Sequence, residues 1–206
     1  VEQIEWLEIL KSYQTVAVGF VGFVGVILTM IGNAWFARRR DDRLRRSEAD
    51  SVAAALYGEI IALRRDIADV SDYVARVEMA GYDHPYMKFD KHFLERSNLP
   101  EPLLYRSLAP RLGMLSPDLL LPIIEFYGNL DRMRAWLPRL VPDKERAITY
   151  SPTTVLRPAR DAVFGVVPAL RTIERQLMLT ARAGDPKFVR AEAIIETEEA
   201  NSESNR

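Results

Sequence analysis

The amino-acid sequence predicts an all-α protein, with one N-terminal transmembrane helix followed by a cytoplasmic antiparallel helical bundle. Three observations carry that expectation. Residues 15–37 contain no charged side chain and are followed at once by Arg38, Arg39 and Arg40. Later segments repeat apolar residues in steps of three and four, the spacing of one helix face. No stretch alternates apolar and polar residues with a period of two between turn signals, so no sheet is expected.

The chain has 206 residues and a net charge of −1, but its charge is segregated. Residues 1–14 sum to −2, residues 38–46 to +4 from six Arg and two Asp, and residues 192–206 to −4. Five domains follow from this pattern. They are a short extracytoplasmic tail (1–14), a transmembrane helix (15–37), a basic juxtamembrane segment (38–46), a helical cytoplasmic domain (47–199) and a disordered tail (200–206). There is no Cys, which excludes disulfides, thiolate metal sites and a cysteine nucleophile. Only two His are present, His84 and His92.

At about 1.5 Å per residue, the run 15–37 extends to about 35 Å, enough for a hydrocarbon core of about 30 Å. Tyr13 and Trp35 sit near its two ends, where amphipathic rings favour an interface. Arg translocates poorly, so the basic end is expected inside and the N-terminus outside, giving a single-pass protein of the inner (cytoplasmic) membrane. A cleaved signal peptide is the rival reading. An acidic leading flank and a long apolar run disfavour it. The chain opens at Val1, so an initiator Met or a longer leader is expected to have been removed.

Within the run, Gly19, Gly22 and Gly25 recur every third residue, and Gly32 follows on nearly the same face. Thr29 forms a small-xxx-small pair with Gly25. Small residues let a second helix approach closely, so Gly19, Gly22, Gly25, Thr29 and Gly32 are the expected helix-packing face. Phe20 and Phe23 are assigned to lipid ahead of a pigment or quinone. Arg38, Arg39, Arg40 and Arg43 are expected to contact anionic lipid head groups. Asp41 and Asp42 interrupt the cluster and argue against nucleic acid as the partner.

The next apolar seam is Ala49, Ala53, Leu56, Ile60, Leu63, Ile67, Val70, Val74 and Val77. It implies one long helix over 44–80, either continuous with the preceding run or restarted at Ser47 or Asp50. Residues 81–103 read as a loop around a short helix over 89–96, with another over 101–108. Ser116-Pro117-Asp118 has the composition of a helix start. That helix is expected to run to about Leu140, with Leu120, Ile123, Ile124, Tyr127, Leu130, Arg134 and Leu137 on one side. A third long helix over 154–183 carries Ala159, Val163, Val166, Leu170, Ile173 and Leu177, with Pro168 placed to kink it. A last helix begins after Gly184-Asp185-Pro186. The acidic end is read as a solvated terminus, with a partner arm as the alternative.

Leu99-Pro-x-Pro-x-x-Tyr105, Arg111-Leu-Gly-x-Leu-x-Pro117 and Ile124-x-Phe-Tyr127 together resemble a pattern in uncharacterised bacterial single-span membrane proteins. The resemblance covers about 30 residues and implies a fold but no activity. Asp83, His84, Asp90, His92 and Glu95 match no metal-ligand spacing. There is no Gly-rich phosphate loop, no GxSxG and no HExxH. No catalytic, cofactor or metal site is therefore assigned. The expectation is a non-catalytic accessory or scaffold subunit of a larger inner-membrane complex, with other membrane protein subunits and the bilayer as partners. The alternative is a self-associating, homo-oligomeric single-span sensor or signalling adaptor built on the heptad seam.

Overall fold

The computed structural model describes the backbone of residues 2–83, 89–142, 150–180, 184 and 186–204, and the side chains of these except 2–17, 19, 21, 82 and 83. Every regular element among the described residues is helical. Seven α-helices follow in order: α1 (Glu2–Asp83), α2 (Lys91–Arg96), α3 (Leu103–Leu108), α4 (Pro117–Trp136), α5 (Thr153–Gly165), α6 (Val167–Gln176) and α7 (Val189–Ser204). Two 3-10 segments, Ala109–Met114 and Leu137–Leu140, adjoin α4 on either side. The chain divides into two compact units, Val1–Glu48 and Ala49–Arg206.

The first unit corrects the sequence expectation. Among the described residues, no helix is long and apolar enough to cross a membrane. The transmembrane helix over 15–37, the single-pass topology and the inner-membrane location drawn from it are therefore not supported. Asn33 and Thr29 are polar positions within the uncharged run and lower its apolarity. The backbone passes through Arg38–Arg46 without interruption, so no new helix starts at Ser47 or Asp50.

The second unit is built on the heptad seam. Ala53, Leu56, Ile60, Leu63, Ile67, Val70 and Val74 are all buried in one core with residues from α2 and from α4 to α7. The seam thus packs within its own chain. Helix α4 begins at Pro117 with Ser116 extended before it, as expected. Its buried face differs from the expected one: Leu119, Ile123, Phe126, Tyr127, Leu130 and Met133 point inward, while Ile124 is 42% exposed. Phe126 and Met133 are one heptad apart, and burying these two large side chains turns Ile124 out of the core.

The expected third helix is two helices. Helix α5 ends at Gly165 and α6 begins at Val167, which places Pro168 in the first turn of α6. There the missing N–H has no helical acceptor to lose. Ala159, Val163, Val166, Leu170 and Ile173 remain buried across the break. Helix α2 starts where Asp90 accepts a bond from the Phe93 N–H at 2.7 Å, a side-chain N-cap. Helix α7 reaches Ser204 and buries Ala191 and Ile195. Its acidic side is tied down in part. Glu198 accepts a bond from the Ser151 hydroxyl at 2.7 Å, and Glu199 lies 3.5 Å from Arg157 and 3.8 Å from Arg160.

Candidate interaction surfaces

The first candidate surface is the described part of α1 in the first unit. Val18, Phe20, Phe23, Leu28, Met30 and Phe36 are each 64% or more exposed. An added Cβ at Gly22, Gly25 or Gly32 meets nothing within 4 Å, so the small-residue positions are open. The surroundings of Gly19 lie outside what the structure describes. The Thr29 hydroxyl donates to the Gly25 carbonyl at 2.8 Å, within its own helix. Arg38, Arg39, Arg40 and Arg43 are all exposed, and the Arg39 guanidinium sits 4.0 Å above the Trp35 ring. That stacking is a cation–π contact between residues four apart on one face.

The second unit holds a polar clasp that links α1 to α3 and α4. Glu59 projects from α1, and its carboxylate accepts bonds from the Leu104 N–H at 2.7 Å and the Tyr105 N–H at 2.9 Å. These are orphan donors in the first turn of α3, which has no capping side chain of its own. The Tyr127 hydroxyl donates to the same carboxylate at 2.7 Å, and the Tyr105 and Tyr127 rings stack 3.8 Å apart. Burial, then the bond to Glu59, then the nearby Glu59 charge push the Tyr127 phenol far above its usual range. A second clasp joins α1 to α6. The Tyr57 hydroxyl donates to buried Glu174 at 2.7 Å, and Arg171 donates to the other oxygen at 3.0 Å. Buried Arg64 donates to the Val163 carbonyl at 2.8 Å, tying α1 to the end of α5. These groups hold the bundle and leave its surface to form the sites.

The second candidate surface is a groove of about 820 Å³ over α4, α5 and α7. Ile124 and Phe164 supply its apolar lining, and Gly128 and Gly165 keep it open because an added Cβ at either meets nothing within 4 Å. Glu125, Asp161 and Glu192 bring carboxylates to its edge. Arg132 and Arg160 also line it, but both are engaged. Arg132 donates to the Asn129 side chain at 3.3 Å, and Arg160 lies 3.6 Å from Asp161 and 3.8 Å from Glu199. Nothing in the sequence pointed to this groove, because it exists only where Ile124 turns out of the core beside Gly165.

Of the loop residues weighed as metal ligands, His84 lies outside the described residues, and His92 makes an exposed contact with Glu95 at 3.4 Å. Among the described residues, no group of three or more His, Cys, Asp or Glu is placed to hold a metal ion. The residues of the motif resemblance take structural places: Leu99, Leu112, Leu115, Phe126 and Tyr127 are in the core. No protein-family model, no curated protein and no solved structure matches this chain.

Proposed function

We propose that this chain is a non-catalytic accessory or scaffold subunit of a larger protein assembly, held to its partner subunits through the apolar side chains of α1 between positions 18 and 36. One observation carries the reading. The large apolar residues of this segment are exposed, whereas those of the α1 seam beyond Ala49 are buried. A contiguous apolar surface of this extent is the usual mark of an interaction site. The helix backbone is already fixed, so a partner helix pays little ordering entropy on this side. The heptad seam that motivated a homo-oligomeric adaptor is consumed by the chain's own core, which favours the assembly reading.

Site-specific photocrosslinking in the native host tests this. A benzophenone side chain at Phe23 and at Met30 should give adducts to the same partner subunit. One at exposed Ala62 should give none. Adducts to lipid alone, or no adducts at all, would overturn the reading.

A further inference from the structure

The groove over α4, α5 and α7 has a complement in this same chain. Trp35, Arg39, Arg43 and Arg46 recur in steps of four, four and three, so they share one face of α1, and all four are exposed. Asp41 falls on the opposite side of the helix. The stripe is therefore an aromatic ring followed by three guanidinium groups. The groove presents an apolar lining of Ile124 and Phe164 with the carboxylates of Glu125, Asp161 and Glu192 at its edge, beside Arg132 and Arg160, which are engaged with Asn129, Asp161 and Glu199. Among the described residues, the side chains of Glu125 and Glu192 make no ion pair or hydrogen bond. Guanidinium and carboxylate match in planar geometry and pair with two bonds at once, and a guanidinium also stacks on a ring such as that of Phe164.

Gly128 adds a second argument. A glycine inside a helix costs about 0.5–1 kcal/mol relative to alanine. No neighbour within the chain requires its absence of a side chain. A helix laid into the groove would use that space, because small residues permit close backbone approach.

We propose that the groove is a docking site for a second copy of this chain, and that its occupant is the Arg39/Arg43/Arg46 face of that copy's α1. This contact lies apart from the apolar segment to which the assembly function is assigned, and the two respond differently to salt. Pairing at the groove is electrostatic and weakens as ionic strength rises, whereas apolar packing does not.

The full chain, held in a non-ionic detergent that covers its apolar segment, is measured by analytical ultracentrifugation. The wild type should self-associate reversibly, about tenfold more weakly in high salt than in low. A groove variant carrying Glu125→Arg and Glu192→Arg should be monomeric, as should a stripe variant carrying Arg39→Glu and Arg43→Glu. An equimolar mixture of the two should associate, because the arginines of the reversed groove meet the glutamates of the reversed stripe and the native groove meets the native stripe. The chain bearing all four substitutions should also associate, since its reversed groove and reversed stripe are complementary between copies. Gly128→Leu, which changes no charge, should abolish association by filling the groove while circular dichroism shows the fold unchanged. A wild type that stays monomeric, or association insensitive to these substitutions, overturns the proposal. Neither result touches the crosslinking outcome at Phe23.

Discussion

The Glu59 clasp gives the sharpest prediction about the bundle. Glu59→Ala removes the acceptor for three donors: the N–H groups of Leu104 and Tyr105 and the hydroxyl of Tyr127. The Tyr127 side chain is buried, so its hydroxyl loses a partner that water cannot fully replace. An unsatisfied buried donor costs about 1–3 kcal/mol. Loss of an N-terminal cap costs about 1 kcal/mol more. Leu104 is exposed, so water recovers part of its bond, and we set the sum at about 3 kcal/mol. Glu59→Gln keeps one acceptor oxygen and should cost about half as much. For a chain of this size, 3 kcal/mol corresponds to a fall of about 6–12 °C in Tm. Urea denaturation followed by far-ultraviolet circular dichroism and by Trp fluorescence measures it directly. A double-mutant cycle with Tyr127→Phe should return a coupling energy of about 1 kcal/mol, since the two groups share a bond. A loss below about 0.5 kcal/mol for Glu59→Ala, the range of an ordinary surface substitution, would refute the claim that this carboxylate joins α1 to α3 and α4.

Four further outcomes can be checked on the same material. Met178 has φ 50° and is 93% exposed, and it closes α6 in a Schellman turn in which the Leu179 N–H donates to the Glu174 carbonyl at 2.9 Å; Met178→Gly should raise stability by about 1 kcal/mol in urea denaturation, because glycine takes this left-handed conformation without the side-chain penalty. Gly58 lies inside α1 and an added Cβ there meets nothing within 4 Å, so Gly58→Ala should stabilise by about 0.5–1 kcal/mol, and a destabilisation would show a hidden contact. Burial first, and the Asp69 charge second, raise the Asp66 carboxyl above 3.8, so its favourable contribution is present in acid and lost as pH rises; Asp66→Asn should raise Tm at pH 7, with the gain vanishing below the carboxylate range. The Tyr127 phenol is raised above 10.0, so its contribution persists at neutral pH and is lost as pH climbs past 10.0; Tyr127→Phe should flatten that alkaline fall in a pH series of thermal melts.

Periodicity alone determined a good deal of this protein. The steps of three and four in Leu56, Ile60, Leu63 and Ile67 specified both the helix and its buried side, because one helix face is set by local geometry. The Ser-Pro-Asp start of α4 and the disturbance at Pro168 were equally local and equally legible. The length of the uncharged run suggested a membrane span. Among the described residues, however, no helix is long and apolar enough to cross a membrane. What faces what was decided by tertiary structure. Choosing Phe126 and Met133 over Ile124 for the core depends on the shape of the facing helices, and the choice opens the groove beside Gly165. Glu59 lies off the apolar seam, and its partner Tyr127 is 68 positions away. Tyr57 and Glu174 are 117 apart. No short-range pattern encodes such pairs. Their bonds require the helices that the apolar seams hold together, and burial makes each polar group demand its partner.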